Sequence, residues 1–264
     1  MTTRRAAFAL TVALAYGMLG TASSAAAEDR PAFKIDTGTI EATLTIEPKL
    51  KAFPGLYDGL LAEGKRELAK WRLQSEKDRK EMPDIFRAGR RYTFERTYTE
   101  RSAIGRYVSV IRTDYLDGLG AHPNHQTDTI LWDAEARKRI SIRPFLKESA
   151  TGGPTLGRLA HLIRVALAVE KKTRDIDIGD PDNDTDLSRV EPDLLKMGAV
   201  ALAPSTAKGK SAGLIFYFSP YAVGAYVEGD YTAFVPWTEI SGDLSPQGLS
   251  LFGGDRPADD DKND

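Results

Sequence analysis

The chain reads as an α+β protein, with a mixed or antiparallel sheet packed against two main helices. Three observations predict this class. Two long stretches repeat apolar residues at helical spacing, several short ones alternate with period two, and the two kinds are mixed without a regular strand–helix repeat.

The elements follow in order. Residues 28–33 read as a short flexible start. Residues 39–46 alternate Ile40, Ala42, Leu44 and Ile46 with polar neighbours, the mark of a half-buried strand. From Pro54 to about Lys80, Leu56, Leu60, Leu61, Leu68, Trp71 and Leu73 predict a helix with a charged outer face, ended by Pro83. Tyr92–Tyr98 alternates aromatic and polar residues. Arg106–Tyr115 is strongly β-prone on both faces, and Thr127–Asp133 and Arg139–Ile142 read as further strands. Asp117-Gly118-Leu119-Gly120 is a turn. Leu156–Val169 predicts the second helix, with Leu159, Leu162, Ile163, Ala166 and Leu167 inward and His161 as a partly buried residue on it. Residues 175–191 form an acidic loop, and a short helix is expected from Glu191 to Lys196. Gly213–Phe218 and Tyr231–Pro236 are strands, and the acidic, apolar-poor end predicts disorder. This divides the chain into a signal (1–27), a small α+β region (28–104), a main domain (105–245) and a disordered acidic tail (246–264).

Arg4 and Arg5 precede an uncharged apolar run from Ala6 to Leu19, and Ala25-Ala26-Ala27 fits the small-x-small cleavage pattern. A secretory signal cut before Glu28 is expected, with a periplasmic or secreted product and no membrane span after processing. The 264 residues carry a net charge of −2. A mildly acidic surface argues against non-specific nucleic-acid binding, which needs clustered positive charge. The absence of cysteine excludes disulfides, thiol nucleophiles and cysteine-based metal sites. No nucleophile elbow, phosphate loop, zinc-protease helix or dinucleotide fingerprint is present.

Two segments carry a resemblance. One runs from Tyr107 through Asp114-Tyr115-Leu116-Asp117-Gly118-Leu119-Gly120-Ala121-His122 and Asp133 to Phe145. The other is Leu214–Tyr221 with Gly224-Ala225-Tyr226, Gly229 and Phe234-Val235-Pro236-Trp237. Together they resemble the bacterial extracytoplasmic domain of unknown function 3298, found in the sigma-V anti-sigma factor ectodomain and beside peptidoglycan deacetylase domains. Residues 34–104 are loosely similar to that domain's N-terminal partner. In that family a Gly-Gly pair precedes Ala-His. Here Leu119 stands for the first Gly, which puts the turn geometry in question. The resemblance implies an envelope location and a binding role, not a reaction.

Three constellations carry the candidate sites. Around the first turn, Asp114, Tyr115, Asp117, His122 and His125 offer ligand contacts, an acid–base pair, or a plain turn. The loop Asp180-x-Asp182-x-Asp184-x-Asp186…Glu191 has the EF-hand spacing of a calcium site, with Thr185 where that turn wants Gly; the competing reading is a solvated acidic loop whose Asp residues cap and turn. Among the aromatics, Tyr217 and Tyr231 read as sheet packing, while Tyr221 and Tyr226 lie in a turn and can stack on sugar rings. The leading expectation is a periplasmic non-catalytic binding or sensing protein for a peptidoglycan-related glycan or a lysozyme-like protein. The alternatives are an envelope glycan hydrolase using Asp and His groups, or a calcium-stabilised structural module.

Overall fold

A computed structural model describes residues 30–260; the expected signal and its cleavage point lie outside the described residues. The larger sheet takes its strands in chain order: β1 (Phe33–Asp36), β2 (Ile40–Ile46), β3 (Tyr92–Ile104), β4 (Tyr107–Asp117), β5 (Asn124–Asp133) and β6 (Lys138–Ile140). All neighbours are antiparallel except β2 and β3, which run parallel. A parallel pair needs a long crossover. Helix α1 (Pro54–Glu81) supplies it.

The alternation read in residues 40–46 explains how this layer closes. Ile40, Ala42, Leu44 and Ile46 are buried in one apolar cluster with Leu56, Leu60 and Leu68 of α1. Gly64 is the contact point: a Cβ there would lie 2.5 Å from Leu44 Cδ1 and 2.6 Å from Cδ2. Gly64→Ala should therefore lower stability in a denaturant titration. Overpacking costs ~1–3 kcal/mol and outweighs the ~1 kcal/mol that Ala gains over Gly in a helix.

The second half of the chain builds an antiparallel three-stranded sheet of β7 (Ala199–Leu202), β8 (Gly213–Phe218) and β9 (Tyr231–Pro236), and helix α2 (Pro154–Thr173). Every residue of β8 is buried. Leu214, Phe216 and Phe218 join Leu156, Leu159, Ile163 and Leu167 of α2 in one cluster. Ile215 and Tyr217 join Ala201, Ala203 and the larger sheet's Ile111 in another. The layers run α1, larger sheet, smaller sheet, α2. Serines stitch the two sheets: Ser102 Oγ donates to Leu202 O at 2.7 Å, and Leu202 N–H donates to Ser109 Oγ at 3.0 Å.

The α+β class holds, with two sheets rather than one, and both long helices lie where their periodicity predicts. Four expectations are corrected. The boundary between 104 and 105 falls in the turn of the β3–β4 hairpin, whose strands pair from Thr93↔Asp117 to Ile104↔Tyr107. The hairpin bonds are local and strong, so no linker separates the halves there. The start is ordered from β1 onward, because that strand gains a partner in β2. The tail expected to be disordered is in part ordered: α3 (Pro246–Leu251) buries Leu251, and Asp260 docks on Arg101 through bonds of 2.7 and 2.6 Å. Low apolar content did not prevent ordering, because a buried cation on the larger sheet recruits the carboxylate. The stretch from Glu191 to Lys196 forms turns rather than a helix.

Candidate functional site

The two resembling segments, about a hundred residues apart in sequence, meet in space. The turn before β5 places His122 against the loop after β8, its ring stacked on Tyr226 with centroids 4.0 Å apart and tilted against Tyr221 at 6.3 Å. Tyr221 and Tyr226 are themselves 5.4 Å apart. Tyr226 OH donates to Pro123 O at 2.7 Å, and Thr127 N–H donates to Ser219 Oγ at 2.7 Å. His122 Nδ1 is 2.9 Å from Pro123 O and so carries the proton. Nε2 is then the acceptor facing Tyr221 OH at 3.4 Å.

Two backbone conformations shape this site. Leu119 takes φ +61°, the left-handed geometry that glycine adopts freely, so the turn forms without the expected Gly; Asp117 Oδ1 accepts Leu119 N–H at 2.8 Å and holds it. Tyr221 sits at φ +71° and is 54% exposed. A large residue in this region is strained and persists only where its surroundings impose it. Arg189 donates to Tyr221 O at 2.7 Å, one such restraint.

The loop after Tyr221 is clamped from α2. Lys171, 2% exposed, donates to Glu228 Oε2 at 2.6 Å. Tyr231 OH donates to the same oxygen at 2.7 Å, and Ala225 N–H donates to Oε1 at 2.8 Å. Burial pushes the Glu228 carboxyl up, but these three bonds outweigh it and hold the pKa down to about 2. Burial and the bond to Glu228 push the Tyr231 hydroxyl up to about 12. The clamp needs Gly224, since a Cβ there would lie 2.4 Å from Glu228 Oε2 and 2.8 Å from Lys171 Nζ. Sequence reading missed Lys171 and Glu228. A lysine among the apolar residues of α2 was the available signal.

Beside the aromatic group lies a cleft of about 540 Å³, walled by Asn124, His125 and Gln126 on one side and Ser219, Pro220 and Tyr221 on the other. Exposed His125 meets Tyr115 edge-on at 5.0 Å. Asp114 lies on the opposite face of the larger sheet from Tyr115 and His125. There its carboxylate takes two 2.6 Å bonds from buried Arg96, with Arg112 Nε 3.5 Å away. Asp117 caps a turn. The expected grouping of Asp114, Asp117 and His122 as an acid–base unit does not form, because strand alternation and the turn send the three side chains to different places.

The acidic loop is also corrected. Asp182 pairs with His161 Nδ1 at 2.6 Å and Arg164 at 2.7 Å, which puts His161 on the exposed side of α2. Asp180 accepts from Asp182 N–H and the Asn183 side chain, and Asp184 from Asp186 and Leu187 N–H. Asp186 pairs with Arg189, and Glu191 with Lys196. The loop does not wrap round a centre: its carboxylates go to turn N–H groups, to basic side chains close by in sequence and, for Asp182, to α2. Among the described residues no three His, Asp or Glu groups converge as a metal site. Tyr217 and Tyr231 are buried in the sheet as packing residues, and Trp237 donates to Gly254 O at 2.9 Å.

Comparison with known proteins adds a family match over part of the chain and a shared fold. Residues 156–238 match the family described as "Protein of unknown function (DUF3298)". The match takes in the second resembling segment; the first lies outside it. A DUF3298 family member from Bacteroides fragilis shares the fold with TM-score 0.52 and 14% identity, over 82% of this chain and 93% of its own. A DUF3298 family protein from Pseudomonas aeruginosa aligns at TM-score 0.46 and 15% identity, over 81% and 86%. No curated protein matches.

Proposed function

We infer that this chain, whose residues 156–238 carry the DUF3298 pattern, is a non-catalytic binding protein of the cell envelope, working outside the cytoplasm on a peptidoglycan-related glycan. The observation that carries the reading is Tyr221. A large aromatic ring is held out towards solvent on a strained backbone, beside Tyr226 and His122 and at the rim of a cleft of about 540 Å³. Sugar rings present apolar C–H faces that stack on aromatic rings and hydroxyls that need amide and hydroxyl partners. Tyr221 supplies the first kind of contact, and Asn124, Gln126 and Ser219 supply the second. Asp114, Asp117 and the carboxylates of the acidic loop are engaged in ion pairs and turn caps. That favours binding over hydrolysis. Among the described residues no helix is long and apolar enough to cross a membrane.

Calorimetric titration of soluble peptidoglycan fragments into the processed protein tests the reading. Tyr221→Ala should weaken binding at least tenfold, the ~1.4 kcal/mol or more that an aromatic anchor contributes, while melting stays near the parent's because the ring is exposed. Equal affinity in the variant would sink this assignment. Retention of lysozyme without retention of glycan would move the reading to a protein ligand.

A further inference from the structure

We propose that the glycan site is one part of a groove with several sugar subsites, which runs from α1 over the lip of β5 to Tyr221 and takes an extended chain. The proposal rests on the glycan-binding reading and goes beyond it by assigning a second aromatic platform, Trp71, about which that reading says nothing.

Trp71 on α1 lines two adjoining cavities. One, of about 380 Å³, also borders Tyr92 and Gly118. The other, of about 350 Å³, borders Phe94, Glu67 and the start of β5. Asn124, His125 and Gln126 then line both that second cavity and the cleft beside Tyr221. Each cavity thus shares wall residues with the next, Trp71 at one junction and the β5 lip at the other.

The fold keeps the lip open. Strand β6 pairs with β5 only at Leu131, Trp132 and Asp133, and the loop after β8 reaches β5 at Thr127, so among the described residues no strand pairs with the outer edge of β5 from Asn124 to Gln126. A ligand can therefore cross from the α1 side to the Tyr221 side without displacing a strand.

The walls suit an uncharged polyhydroxyl chain. Arg96 and Arg112 in the middle cavity are paired with Asp114, and Glu63 takes ion pairs from Arg112 and Arg139. With Glu67 of the same cavity, three carboxylates balance three guanidinium groups and present no excess charge to a polyanion. Trp71, tilted against Phe94 with ring centroids 5.7 Å apart, gives an apolar platform, with Asn124, Gln126 and Glu67 as hydrogen-bonding groups. A single sugar fills one cavity and reaches one platform; an oligosaccharide reaches both, and the second contact is then intramolecular.

The test uses β-1,4-linked N-acetylglucosamine di-, tetra- and hexasaccharides titrated into the processed full-length protein. The expected result is an affinity that rises at least tenfold from di- to hexasaccharide. Trp71→Leu should erase that rise and bring the hexasaccharide affinity down to about that of the disaccharide. Glu67→Ala, which touches the middle cavity and not the cleft beside Tyr221, should cut the hexasaccharide gain at least threefold, and it carries the test if Trp71→Leu fails to fold. Binding that does not depend on length, or a length gain that survives these variants, overturns the groove and leaves the Tyr221 site standing. No binding at any length overturns both.

Discussion

Replacing Glu228 by Ala is expected to destabilise the protein by ~3–5 kcal/mol, because removal of one partner leaves a buried ammonium without its counter-charge. Lys171 is 2% exposed and has Glu228 as its ion-pair partner. The same substitution frees Ala225 N–H and Tyr231 OH, so the loop carrying Tyr221 and Tyr226 loses its anchor to α2. Glycan binding should fall with stability, and by more than in Tyr221→Ala, since the whole loop is released. The pair Lys171→Met with Glu228→Gln removes the buried charge and keeps an acceptor for the loop, so it should recover much of the loss. A denaturant titration measures both; a Glu228→Ala variant within ~1 kcal/mol of the parent would show that the clamp contributes little.

The clamp also predicts a pH profile. The folded carboxyl titrates at about 2 against an ordinary 4.5. Its contribution, roughly 3 kcal/mol, is complete above pH 4.5 and lost as pH falls through 4.5 towards 2. Tyr231 acts at the other end: its raised pKa, about 12 against 10, favours the folded state below pH 10 and loses that effect as pH rises towards 12. In Glu228→Gln the acid limb attributable to this group should disappear from a plot of melting temperature against pH.

The second large effect is expected at the far end of the chain. Arg101→Ala and Asp260→Ala should each cost ~3–5 kcal/mol, again the consequence of stranding a buried charge. Arg101 and Asp260 are 4% and 5% exposed and share two short bonds. Arg256 Nε adds a third contact to Asp260 at 2.6 Å, and Arg101 Nε donates to Tyr217 OH at 2.8 Å. Arg101 reaches these partners because the β3–β4 register slips between Glu100 and Ser102. Such a bulge re-aims one side chain out of the alternation. Deleting residues 255–264 should give a loss of similar size in urea unfolding. Unchanged unfolding would mean that the ion pair does not hold the tail.

The same bulge shows where sequence reading ran out. Tyr92 to Tyr98 alternates cleanly, and β3 forms as that pattern predicts. Three residues on, at Arg101, the register depends on a cross-strand slip that no local pattern encodes. The tail failed for a related reason: its composition is that of a disordered segment, and its order comes from a cation over 150 positions away in the chain. The EF-hand spacing of Asp180–Glu191 was legible as spacing alone. Whether carboxylates converge depends on the backbone path, and here Asp182 turns to Arg164 and His161 on α2. Conversely, Tyr221 and Tyr226 stood out as turn aromatics, and His122 as a turn histidine. Nothing local said that they touch.

Periodicity by itself determined the α+β class, α1, α2 and most strands, because burial of one face is a property of consecutive residues. The residue pattern also separated Tyr217 and Tyr231, as sheet packing, from Tyr221 and Tyr226, as turn residues. Tertiary structure alone decided that the two halves share one hairpin, that His122 stacks on Tyr226, that Lys171 clamps the loop after β8, and that neighbouring cavities share the β5 lip. Each of these depends on contacts between residues far apart in the chain, and such contacts are set by how the layers pack rather than by any segment's own preference.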